Sequence, residues 1–155
     1  MPNHCYQQVH IHGPSAKVQE LYEYLLVSDH PEFFNLISPM PEEVNDAPPT
    51  REVGGYELPA WYAWRVKNWG SKWDVADVQI TQPLTLHGED KSSFSFNCWT
   101  AWSPPIPIWD KLVEMGLSVD ADYQDEGMGF EGEYLNGVDE CWDPVDILDE
   151  EEEDA

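Results

Sequence analysis

A chain of 155 residues suits one domain, and a 41% hydrophobic content that includes 8 Trp, 7 Tyr and 5 Phe can build a core without disulfides or a structural metal. Against 31 Asp and Glu stand only 7 Lys and Arg, a formal charge of −24. Such a field repels nucleic-acid phosphates and anionic lipid heads, which argues against direct nucleic-acid or membrane binding and for a basic partner.

Cys5, Cys98 and Cys141 are odd in number and contain no C-x-x-C pair, so no disulfide framework is indicated. The opening Met1-Pro2-Asn3-His4 has neither the charged nor the apolar region of a secretory signal, and no apolar run approaches the length of a bilayer span. The expected setting is the reducing cytoplasm, with no cofactor implied.

In chain order, residues 5–12 read as a first strand, with Val9 and Ile11 on one side and Gln8, His10 and His12 on the other. Gly13-Pro14 breaks it, and Ser15 is the expected N-cap of a helix carrying Val18, Leu21, Tyr22, Leu25 and Leu26 as one apolar stripe. Residues 38–60, with five prolines and Gly54-Gly55, read as a mostly irregular surface insertion. An aromatic block follows from Trp61 to Trp73. Val75 to Thr81 is the second expected strand, Pro83 to Asp90 a connection, and Ser92 to Trp102 the third strand, with Phe94, Phe96 and Cys98 inward.

A second helix is expected over about 107–115, with Pro107 in its first turn, Ile108, Trp109, Leu112 and Met115 buried, and Gly116 at its end. Ser118 to Glu126 and Phe130 to Tyr134 are strands four and five, joined through Gly127-Met128-Gly129. The expected domain covers 1–138. Residues 139–155 form an acidic tail with ten acids and no base, of a density that rarely folds alone. The order predicts an α+β fold, a ferredoxin-like βαββαβ sandwich with one extra C-terminal strand.

Four stretches carry a resemblance to a known family: Met1-Pro2-Asn3-His4-Cys5; Asn68-Trp69-Gly70-Ser71-Lys72-Trp73-Asp74; Thr100-Ala101-Trp102-Ser103-Pro104-Pro105; and the run Tyr123, Gly127, Phe130, Gly132. In these the chain resembles the YubB-type ferredoxin-like domain of phage and plasmid proteins, over residues 1 to about 135. The resemblance implies a ferredoxin-like fold and a home on mobile genetic elements. It carries over no catalytic residues, so function has to be argued from the site.

Asp120, Asp122 and Glu126 fall on one side of strand four, and Glu131 and Glu133 on one side of strand five. Alternate residues on a strand stand about 6.6 Å apart, so the hairpin would display a ladder of fixed negative charge. Asp149, Glu150, Glu151, Glu152, Glu153 and Asp154 would extend it. Duplex DNA also presents regular negative charge. The expected function is a non-catalytic inhibitor that mimics DNA and blocks a basic groove on a host nucleic-acid-binding protein of defence or repair. The bland alternative is a solvated face with a solubilising tail.

A second reading places a small-ligand or carbohydrate site at Trp69, Lys72, Trp73, Trp99 and Trp102, where aromatic faces stand beside cations; its alternative is simple packing. His10 and His12 point the same way and could join His4 or Cys5 around zinc, but a pair is two ligands short, and polar residues on an open sheet face are the simpler account. An RNA-recognition sheet would need strand aromatics plus fixed positive charge, which Gln8, His10, His12 and Asn97 do not supply. An enzyme is the third reading, although no G-x-S-x-G, P-loop or H-E-x-x-H occurs and no nucleophile–base–orienter set can be read out.

Overall fold

The computed structural model describes residues 4–46, 51–53, 56–127 and 129–142. It is an α+β fold around a six-stranded antiparallel sheet. The elements are β1 (His4–Pro14), α1 (Ser15–Val27), α2 (Phe33–Ile37), α3 (Glu43–Asp46), β2 (Arg51–Val53), β3 (Tyr56–Leu58), α4 (Ala60–Trp69), β4 (Ala76–Leu86), β5 (Lys91–Ala101), α5 (Ile106–Glu114), β6 (Ser118–Asp125), β7 (Glu131–Leu135) and β8 (Val138–Trp142). The large sheet runs β4-β5-β1-β6-β7-β8, and β2 and β3 form a separate two-stranded ribbon. No helix among the described residues is long and apolar enough to cross a membrane.

Alternation decides the two faces of the sheet. Val9 and Ile11 of β1, Phe94, Phe96 and Cys98 of β5, and Val119 and Ala121 of β6 are buried on one face. Against them pack Val18, Leu21 and Leu25 of α1 and Ile108, Trp109 and Leu112 of α5, each set on one stripe of its helix. Phe33 and Phe34 of α2 and Trp69 of α4 complete the core through edge-to-face contacts: Phe33 with Phe96, and Phe34 with both Trp69 and Trp109. The opposite face, carrying Gln8, His10, Asn97, Trp99, Asp120 and Asp122, is left partly or fully exposed.

Several expectations need correction. The sheet has two strands beyond the expected four-strand core, not one. Residues 138–142, counted mainly with the acidic tail, pair with β7 as β8. The cause is a two-residue hairpin in which Asn136 (φ 47°) and Gly137 (φ 102°) both adopt positive φ, the geometry that matches the twist of the flanking strands. Residues 38–60, expected to be mostly irregular, hold the short helix α3 and the β2–β3 ribbon, while residues 47–50 and 54–55 lie outside the described residues. The aromatic block contains helix α4, entered through Pro59 and closed by Gly70 at φ 76°. β4 runs through Pro83 to Leu86, which is tolerated because β4 is an edge strand and no ladder bond requires a proline N–H there. Ser15 is the first helical residue, not the cap; its hydroxyl meets that of Ser92 at 2.7 Å. Leu26 lies outside the apolar stripe, 58% exposed.

Candidate functional site

Strand register assembles the open face into lines of side chains. One line crosses all six strands: Gln79, Asn97, Gln8, Asp122, Glu133 and Glu140. A second holds Gln82, Ser95, His10, Asp120, Leu135 and Val138. A third holds Ala76, Trp99, Tyr6, Gln124, Glu131 and Trp142. The first line passes from neutral amides on β4, β5 and β1 to carboxylates on β6, β7 and β8, the other two add Asp120 and Glu131, and the chain carries no Lys or Arg after Lys111.

Asp120, Asp122 and Glu133 are exposed, and oxygens from the three lie within 4.8 Å of one another. None of the three side chains has a hydrogen-bond or ion-pair partner among the described residues. Partial burial pushes the Asp122 carboxyl above its ordinary value, and the neighbouring Asp120 charge adds to the effect. Two hollows flank Asp122. One of about 380 Å³ lies among Tyr6, Glu131, Glu133 and Trp142, and the other, of about 330 Å³, among His10, Ser95, Asn97 and Asp120.

Glu131 and Glu126 share the face but are engaged. Glu131 Oε1 accepts from Trp142 Nε1 at 2.9 Å. Glu126, in the turn after β6, accepts the backbone N–H of His4 at 2.8 Å and stands 3.7 Å from the His4 ring nitrogen, an ion pair only when that ring is protonated. The five carboxylates expected on strands four and five therefore stand on one face, and three of them converge. Glu140 joins their line without having been singled out, and the Asn136-Gly137 turn was the available signal for it. Asp149, Glu150, Glu151, Glu152, Glu153 and Asp154 lie outside the described residues.

What the arrangement can do follows from its chemistry. Ionised carboxylates are acceptors only, and three converging ones suit an ammonium or guanidinium group through charge-assisted bonds. At neutral strand spacing, about 4.8 Å, like charges directly opposite one another on β6, β7 and β8 repel, so a cation on this face relieves a strain built into the sheet.

The second group of candidate residues does not assemble into one site. Trp69 is buried, its ring nitrogen donating to Ser38 O at 2.9 Å. Trp99 packs on Tyr6, centroids 4.9 Å apart, on the open face. Only Lys72, Trp73 and Trp102 meet at the surface, where the Lys72 ammonium lies 4.5 Å from the Trp73 ring and 4.2 Å from that of Trp102. The stretch around them is a structural junction. Gly70 packs so closely on Pro104 and Pro107 that a Cβ would come within 2.7 Å of the Pro107 ring. The Ser103 hydroxyl donates to Gly70 O, and the Ala101 N–H donates to the Ser71 hydroxyl at 3.2 Å. Asp74 accepts the N–H groups of Phe34, Asn35 and Val75 and so caps α2, while burial raises its carboxyl above the ordinary value in spite of those three bonds.

Two histidines are engaged by serines: His10 Nδ1 meets Ser95 Oγ at 2.7 Å and His87 Nε2 meets Ser93 Oγ at 2.7 Å, while the His12 ring lies against that of His87. Cys5 is buried on the helix-covered face beside Gln7 and Thr100, so it cannot join His10 and His12 around a metal. No family model matches the chain, and neither a curated protein nor a solved structure shows significant similarity to it.

Proposed function

We propose that this is a non-catalytic interaction protein of a mobile genetic element, and that its acidic sheet face binds and blocks a basic groove on a nucleic-acid-binding host protein. In this reading the β1-α1-β4-β5-α5-β6 core is a ferredoxin-like domain of the YubB type whose sheet is widened by β7 and β8. The supporting observation is the shared face. Asp122, Glu133 and Glu140 stand in register, with Asp120 and Glu131 on the same face beside them, across three adjacent strands that contain no Lys or Arg. Asp120, Asp122 and Glu133 are anchored at neighbouring backbone positions and have no partner among the described residues, so they act as phosphate surrogates at fixed spacing.

The partner's Lys and Arg side chains would make charge-assisted bonds to this lattice, and the long-range field of a −24 chain would speed encounter. The test is recovery of a basic nucleic-acid-binding protein on the immobilised chain. Duplex DNA should displace it, raised salt should weaken it, and the triple variant Asp120→Asn, Asp122→Asn, Glu133→Gln should lose about tenfold or more in affinity. An affinity that stays the same from low to high salt sinks the mechanism.

A further inference from the structure

We propose that the hollow at the β4 end of the open face is a binding site for a guanidinium group, separate from the Asp120, Asp122 and Glu133 cluster. This cavity, about 730 Å³, lies between the α1–α2 connection, the first residues of β4 and the aromatic pair Tyr6 and Trp99. Trp99 is held from two sides, by Tyr6 at 4.9 Å and by the edge of His4 at 6.0 Å between centroids, so its ring is a fixed wall.

Polar groups complete the lining. Asp29 and Asp77 contribute carboxylates, Gln79 and Asn97 amides, and no Lys or Arg lines the cavity. None of these four side chains takes part in a hydrogen bond among the described residues. The β4 backbone is irregular beside the cavity. Ala76 pairs with Trp99 but Gln79 with Asn97, so β4 carries one extra residue there, and Asp77 sits at φ 50°. Such a bulge re-aims a side chain, and glycine would occupy a positive φ more readily than aspartate.

A guanidinium fits this set better than the alternatives. It is planar and stacks on an indole face, and its five fixed donors bond to carboxylate and amide oxygens. An ammonium offers a point charge with no stacking plane, and a neutral sugar can donate hydroxyls to the carboxylates but leaves their negative charge uncompensated. The same chemistry is presented by a free guanidinium compound and by an arginine side chain of a polypeptide.

Calorimetric titration with agmatine, with a Gly-Arg-Gly peptide and with the matching citrulline peptide tests the site. Both guanidinium probes should bind and the neutral citrulline peptide should not. Preference for agmatine assigns a free compound, and preference for the peptide assigns an arginine side chain. Asp77→Gly should weaken binding about tenfold while moving the urea midpoint upward, because a strained carboxylate leaves and the fold relaxes. Trp99→Leu should weaken binding with the fold retained. Equal binding of citrulline, or unchanged affinity in both variants, overturns the proposal. The triple variant Asp120→Asn, Asp122→Asn, Glu133→Gln should bind agmatine within about twofold of the parent at physiological salt, where distant exposed charges are screened. The two readings can therefore fail independently.

Discussion

Two regions of the molecule use their residues in opposite ways. At the junction of α4 with the end of β5, almost every side chain is consumed internally: Trp69 fills the core, Ser71 and Ser103 tie two loops, and Asp74 caps α2. Along β6, β7 and β8 the outward carboxylates of Asp120, Asp122, Glu133 and Glu140 have no partner among the described residues. The rarer residues thus serve the fold, and the commonplace ones are left for something outside it. Distinctive sequence is a guide to specificity of structure as readily as to specificity of binding.

The sharpest way to break this comparison is Trp69→Ala. It removes a buried ring that touches Phe34 and Trp64 and donates to Ser38, and it should destabilise by about 4 kcal/mol in urea unfolding. A fully stable variant would show that the junction is not a structural centre of the fold. Lys72→Ala probes the one part of that junction at the surface. Loss of the Trp73 and Trp102 contacts should cost about 0.5 kcal/mol and leave far-ultraviolet dichroism unchanged.

Asp122→Asn gives the smallest effect and the opposite sign. A carboxyl raised in the folded state binds protons more tightly there than in the unfolded chain. Its ionisation therefore weakens the fold at neutral pH, and the penalty disappears as pH falls through the folded value. The variant should be more stable at pH 7 by at most about 0.5 kcal/mol, reduced by solvent screening, with the gain vanishing in acid. Unfolding midpoints of parent and variant across pH check this, and a destabilised variant would mean that Asp122 serves the fold after all.

Much of the body was legible because apolar alternation is strong in β1, β5 and β6 and the apolar stripes of α1 and α5 are clear. The facing of Asp120, Asp122, Glu131 and Glu133 followed from the same alternation. Helix α4 was obscured by aromatic residues that are spread around its circumference, although Pro59 and Gly70 bracket it. β8 was hidden because all five of its residues are exposed, so burial imposes no alternation on its sequence, and the high acid content masked the Asn136-Gly137 turn. The guanidinium cavity had no sequence signature, since it depends on a bulge in β4 and on a loop brought from far away in the chain.

Gly132 has a consequence for the outer surface. The Tyr123 ring lies across it so closely that a Cβ would come within 2.4 Å, and the phenol reaches over to Asp139 of β8 at 2.6 Å. A hydroxyl from the protein's interior thus fastens the outermost strand from beneath. The geometric order of the charges facing solvent is held by a missing side chain on the far side of the sheet, and crowding at that point would be felt as a displaced Glu140.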